Sequence, residues 1–377
     1  MTALFLGANL RLIRLFHGLS LADLGERVGV SKQFLSRVEA GADPVTSQLE
    51  TTLAEQLEVL PEFFYKLDTD PITEEQCHFR RQLTTKVVLR QVGRARGEML
   101  KRLVDVLDQH VDLPTYRMQA AELTSNETIE RGAEQFRAQF GLGAGPLSNI
   151  TRVAENAGAI VTRVEGLAQE IDAVSFATKR PVIALNSTGR SSCRQRFGIA
   201  HELGHFALHI GVLTGDRLTE SQANRFASSL LLPRSTFGSE CRMGLRGERL
   251  NWSGLSALKL RWGASKAAIL FRGHQLGHFS EDQVRSGYIF LRRHGEAIEE
   301  SEDHLVAHEE PEVLQEGLKV MREQLGIHMS AIARQMGVQT SLLDRVVKRP
   351  EEVRGANVVS LFGTKGAVSI ARGIDAA

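Results

Sequence analysis

Apolar residues recur at helical spacing from the first turns of the chain. Leu10, Leu12, Ile13 and Leu15 predict a first helix, and Gly18 ends it. Ser20 stands at the N-cap position of a second helix that carries Leu21, Leu24 and Val28. Gly29 and Val30 supply a tight turn, and Ser31 caps a third helix through Phe34, Leu35 and Val38. Two short helices joined around a glycine make a helix-turn-helix. The third helix leaves Ser31, Lys32, Gln33, Ser36 and Arg37 for solvent, types that hydrogen-bond base edges and phosphates in a DNA major groove.

Farther along, the pattern changes character. From Arg80 to Arg102 eight basic residues (Arg80, Arg81, Lys86, Arg90, Arg94, Arg96, Lys101 and Arg102) face one acid, Glu98. Val87, Leu89, Val92, Met99, Leu100 and Leu103 give the segment an apolar side, so it predicts an amphipathic helix with a basic face. Such a face is a solvated spacer or a second phosphate-contacting surface. Ile171–Phe176 and Pro181–Leu185, separated by Thr178-Lys-Arg180, predict a β-hairpin. An edge strand of that hairpin is placed to hold an extended peptide by strand addition.

The strongest chemical signal is Arg196-Phe-Gly-Ile-Ala-His201-Glu202-Leu-Gly-His205, a His-Glu-x-x-His pattern in a helix-compatible run. Residues four apart share a helix face, so His201 and His205 can offer imidazoles to one metal ion. Glu202 falls beside that ion, in place to act as general base toward an attacking water. A third ligand is available from Glu220, on a second helix where Ala223 and Ala227 allow close approach. His205/His209, His274/His278 and His304/His308 also have the i,i+4 spacing but lack the adjacent glutamate. They read as surface or core residues, with His209 either an outer partner of His205 or packing. Zinc suits two His and one Glu, and manganese is admitted.

Composition adds limits. The chain has 377 residues, enough for two or three domains. Lys and Arg total 46 against 45 Asp and Glu, which excludes a generally basic nucleic-acid coat and requires a local patch for DNA. Residues 1–38 provide one, with five basic side chains against two acids. Cys77, Cys193 and Cys241 are odd in number and far apart, against a disulfide framework or a cysteine zinc knuckle, and a reducing cytoplasm fits. No apolar run approaches the ~20 residues of a membrane span, and the N-terminus reads as mature protein.

The run Gly18-Leu-Ser-Leu-Ala-Asp-Leu-Gly-Glu-Arg-Val-Gly-Val-Ser-Lys-Gln-Phe-Leu-Ser-Arg-Val-Glu39 resembles the Xre, phage-repressor-like, helix-turn-helix family. Leu53 to Val59 and Pro61 to Phe64 fit that family's fourth and fifth helices. Ile129 to Arg137, Leu142 to Pro146, the hairpin, the His-Glu-x-x-His run, and Glu220-x-x-Ala-Asn-x-Phe-Ala227 with Leu230-Leu-Leu-Pro233 resemble the ImmA/IrrE metallopeptidases. The resemblance implies zinc on His201, His205 and Glu220, and Glu202 as general base. A second echo lies near the end, where Gly326 to Val346 aligns without gaps on Gly18 to Val38. The acidic run Glu296 to Glu312 before it opposes DNA and favours a protein-contact role.

The expected chain is mainly α with a small β-sheet, an α+β architecture. It divides into a five-helix helix-turn-helix domain at 1–68 and a basic helical connector at 69–120. A zincin-like peptidase core follows at 121–245, a helical helix-turn-helix-like module at 246–295, and a C-terminal domain at 296–377 with the repeat at 326–346 and a mobile tail. The expected function is a cytoplasmic, homodimeric DNA-binding regulator whose peptidase cleaves a repressor-type protein, in trans or in its own chain. Two alternatives are a transcription factor whose metal domain senses a small molecule without cutting, and an antitoxin or phage-defence regulator.

Overall fold

The computed structural model describes residues 4–68, 70–73, 76–81, 87–118, 125–167, 171–187 and 191–347. The predicted tail at 356–377 and Lys86 lie outside them. The described residues form two compact units, one drawn from 1–68, 98–113 and 313 onward, the other from 69–97 and 114–312.

The first unit begins with α1 (Gly7–Phe16), α2 (Leu21–Val28), α3 (Lys32–Glu39) and α4 (Ser47–Gln56). Ser20 and Asp23 form a reciprocal capping box on α2, and the Ser31 hydroxyl accepts from the Phe34 N–H at 3.2 Å. Each such cap contributes about 1 kcal/mol. Between them Gly29 takes φ +71°, a left-handed turn that a side chain resists. The buried Arg14 guanidinium forks onto Glu39 at 2.6 and 2.9 Å, fastening α1 to α3. The expected fifth helix is a single 3-10 turn, Pro61–Tyr65. Lys66 turns extended after it, and the Asn9 amide donates to the carbonyls of Phe63 and Lys66 at 2.9 and 2.8 Å.

The basic stretch is not one helix. Cys77–Arg81 is a strand, β1, and the helix α5 runs from Val87 to His110. Four of its cations have partners among the described residues. Arg94 and Arg96 donate to the carbonyls of Ile72 and Glu165. Lys101 is buried against Asp105 and Asp68 at 3.0 and 3.4 Å, and Arg102 lies over the Phe63 ring. These four cations thus find carbonyls, carboxylates or a ring within their own unit.

The second unit continues with α6 (Asn126–Gln139), α7 (Ile150–Asn156), β2 (Ile160–Val164), β3 (Ile171–Ala177) and β4 (Pro181–Asn186). The hairpin β3–β4 forms as predicted, but its strands are interior: the sheet order is β1-β3-β4-β2, with β2 parallel to β4 and β1 antiparallel to β3. The free edge expected beside the hairpin is therefore filled by β1. Next come α8 (Ser192–Leu208), α9 (Arg217–Leu231) and α10 (Thr236–Glu240), a two-stranded β5 (Leu245–Arg246) and β6 (Arg249–Leu250), then α11 (Trp252–Trp262), α12 (Lys266–Gln275) and α13 (Glu281–Arg293). α8 is buried on nearly every side, which makes it the central helix of the core.

Buried charges tie the surrounding elements together. Arg272 on α12 forks onto Glu130 of α6 at 3.1 and 3.2 Å and donates to the Leu232 carbonyl. The acidic run at 296–312 is largely internal wiring: Lys259 meets Glu300 and Asp303 at 2.7 and 2.6 Å, Lys266 meets Glu296 and Glu302, and Arg196 meets Glu309. Removing one partner would strand a buried charge, a loss of about 3–5 kcal/mol.

The chain ends its described course with α14 (Val313–Leu325), α15 (Met329–Met336) and α16 (Thr340–Val346), which belong to the first unit. Gly326 and Gly337 take φ +67° and +78°, matching +70° and +71° at Gly18 and Gly29, so the repeat extends to the backbone. It packs on the N-terminal module through an antiparallel bridge between Val59 and Val338, with Leu60 N–H on Gly337 O at 2.8 Å and Gln339 N–H on Glu58 O at 2.9 Å. Arg345, the counterpart of Arg37, pairs with Glu58 at 3.0 Å.

Burial pushes the thiols of Cys193 and Cys241 up to about 12. Both should alkylate more than about 100-fold more slowly in the native protein at pH 8 than in urea, because the thiolate is the reactive form. Mass mapping of labelled peptides checks this.

Candidate metal centre and helix-turn-helix face

Gly204 and Ala223 decide where the candidate ligands meet. A methyl group on Gly204 would lie 3.1 Å from the Ala223 carbonyl oxygen and 3.2 Å from Phe226 Cβ, so α8 and α9 approach closely because side-chain bulk is missing there. α9 is capped by Asp216, whose carboxylate accepts from the N–H groups of Leu218 and Thr219. Glu220 follows in the first turn, aimed at α8.

The Nε2 atoms of His201 and His205 converge to 3.0 Å. Glu220 completes the group, Oε2 at 3.3 Å from His201 Nε2 and Oε1 at 3.5 Å from His205 Nε2. All three donors lie within 4.8 Å of one another. Burial pushes the Glu220 carboxyl up, but the hydrogen bonds and charge of the two imidazoles outweigh it and hold the group well below the usual carboxylate range. The donor set of two imidazoles and a carboxylate fits a divalent ion such as zinc.

Outer partners fix the rings. Asn224 Oδ1 lies 2.9 Å from His201 Nδ1, so that nitrogen carries a proton, which would leave Nε2 to offer its lone pair to a bound ion. A longer relay serves His205. Gln222 Oε1 accepts from His209 Nε2–H at 2.9 Å, leaving His209 Nδ1 to accept from His205 Nδ1–H at 2.9 Å. His209 is thus an outer partner of the centre. Its pKa is lowered chiefly by burial, which favours the neutral ring the relay needs.

Glu202, which follows His201 in sequence, is fully buried. Its Oε2 accepts from the Ser175 hydroxyl at 2.5 Å, while Oε1 is buried with no hydrogen-bond partner among the described residues. One oxygen is anchored and the other is available to take a proton. His78 of β1 stacks on His205, ring centroids 4.7 Å apart, and burial chiefly pushes its pKa down to about 3. His274, His278, His304 and His308 are exposed or half-buried and do not join the group.

Residues 154–280 match the peptidase-family model described as the IrrE N-terminal-like domain. The IrrE-like region spans the hairpin, α8, α9 and α11–α12, and so contains His201, Glu202, His205 and Glu220. Residues 6–60 match a helix-turn-helix domain model. The chain therefore carries, in one polypeptide, a segment similar to helix-turn-helix domains and a segment similar to the IrrE N-terminal-like peptidase domain. No curated protein matches the chain.

On the helix-turn-helix, Lys32, Gln33, Ser36 and Arg37 are exposed along α3. Arg37 pairs with Asp43 at 2.8 Å, and the Ser31 hydroxyl is engaged as the α3 cap. Sequence reasoning passed over Asn224, Gln222, Ser175 and His78. Asn224 was legible as the residue one turn after Glu220, and Ser175 as the polar position in an apolar strand. Nothing local marks His78.

Replacing Gly204 with valine should destabilise the protein by about 1–3 kcal/mol, since neither backbone can retreat freely. Thermal unfolding measures it, and an unchanged melting temperature contradicts the close approach of α8 and α9.

Proposed function

We propose that the chain is a DNA-binding regulator whose metal-dependent endopeptidase cleaves a repressor-type protein, in trans or in its own chain, and so switches gene expression. The observation that carries this reading is the convergence of the His201, His205 and Glu220 donors, with the buried Glu202, next in sequence to His201, held by Ser175 through one oxygen. His201, His205 and Glu220 hold the ion, zinc or manganese. When bound, such an ion polarises a peptide carbonyl and lowers the pKa of a coordinated water to about 7.

The protein's own groups supply the remaining chemistry. Glu202 takes the proton from the attacking water as its oxygen bonds to the carbonyl carbon. It then gives that proton to the leaving amide nitrogen as the C–N bond breaks. Ser175 holds the carboxylate in place through the exchange. Asn224, Gln222 and His209 keep the ligand rings in one tautomer. On the DNA side, Lys32, Gln33, Ser36 and Arg37 contact bases and phosphates while Ser31 sets the start of α3. Two half-sites read by a homodimer fit the modest local charge. No helix among the described residues is long and apolar enough to cross a membrane, which accords with a cytoplasmic regulator.

Incubating the zinc- or manganese-loaded protein with purified helix-turn-helix repressors tests the reading. Wild type should yield discrete fragments. Glu202→Gln should retain the metal yet cut about 10²–10⁴-fold more slowly. Fragmentation at the same rate by Glu202→Gln, or none by wild type on any repressor, overturns it and leaves a sensing module.

A further inference from the structure

The strand position beside the metal centre is already filled by the chain itself. β1 pairs antiparallel with β3, placing Cys77 opposite Phe176 and His78 opposite Ser175. The Ala177 N–H donates to the Gln76 carbonyl at 3.2 Å. Hydrogen-bonded pairs alternate along an antiparallel ladder, so His78 and Ser175 form the next such pair.

Directly opposed residues project on the same face of a sheet. Ser175 uses that face to reach Glu202. His78 projects there too: its ring lies parallel to that of His205, 9° between planes, and its Nδ1 is 2.5 Å from Thr214 Oγ1. His78 is 4% exposed. β1 therefore runs its main chain opposite the residue that anchors Glu202 and lays a side chain over a ligand ring. An extended substrate adding to β3 would take this same place. The other side of β3 is held by β4. A peptide pairing instead with the outer side of β1 would sit about 4.8 Å farther from β3.

We propose that residues 77–81 occupy the peptide groove as a built-in competitor, and that a substrate segment enters by displacing β1 from β3. The subsite over His205 then takes a flat ring, as His78 now provides. This rests on the reading that the groove receives peptides, but it concerns access and not bond cleavage.

Cys77 is the reporter. It is 6% exposed in β1, while Cys193 and Cys241, 1% and 0% exposed, lie elsewhere in the same unit. The full-length protein is alkylated at pH 8 and mapped by mass spectrometry while a synthetic peptide, residues 76–82 with serine in place of Cys77, is titrated in. Cys77 labelling should rise about tenfold and saturate, corresponding to a tenfold shift in strand opening. Cys193 and Cys241 should not change, and a scrambled peptide should have no effect.

His78→Pro, which removes the ring and a ladder N–H, should label rapidly at Cys77 without peptide. Continued protection of the other two thiols reports that it has folded, and Arg80→Pro is the second variant if it has not. Cys77 labelling unmoved by millimolar peptide, or a folded proline variant with Cys77 still protected, overturns the proposal. The same labelling is expected in Glu202→Gln protein. Failure here therefore leaves the hydrolytic reading standing, and failure of cleavage leaves this one.

Discussion

Close packing of α8 on α9 is the constraint on which the rest depends. Neither the two imidazoles nor the carboxylate makes a centre alone, because they arise from different helices. Gly204 removes the bulk that would hold those helices apart, and the Ala223 backbone fills the space. The result sets Glu220 Oε2 3.3 Å from His201 Nε2. A separation larger by one methyl group would leave two histidines on a helix, an arrangement with far weaker claims on an ion.

The same packing organises the outer residues. Asn224 lies one turn beyond Glu220 on α9, so the helix that brings the carboxylate also brings the acceptor for His201. Gln222 reaches the other way, through His209, to orient His205. Buried polar groups are therefore not isolated costs here. Each satisfies a neighbour, and the chain of donors fixes which ring nitrogens face inward. Ser175 extends the logic into the sheet, where β3 supplies the hydroxyl that positions Glu202.

Much of this was legible in the sequence because it is local. The helix-turn-helix follows from serine caps and a left-handed glycine within twenty residues, and the repeat at 326–346 keeps both glycines in place. The His-Glu-x-x-His run needs only helical spacing. What escaped reading depends on distant partners. Cys77 to Arg81 carries basic residues that suit a helix face, yet tertiary pairing with β3 makes it a strand. The acidic run at 296–312 read as a charge opposing DNA and favouring a protein contact, and carboxylates of it are matched to Lys259, Lys266 and Arg196 far upstream. His78 gave no local sign, since its importance comes wholly from lying opposite Ser175.

Zinc K-edge absorption on the metal-loaded full-length protein examines the centre directly. The account predicts one zinc per chain with two imidazole nitrogens at about 2.0–2.1 Å and a carboxylate oxygen in the same shell, the oxygen lost in Glu220→Ala and no sulfur present. A sulfur shell near about 2.3 Å, a single imidazole, or a spectrum unchanged by Glu220→Ala would contradict it.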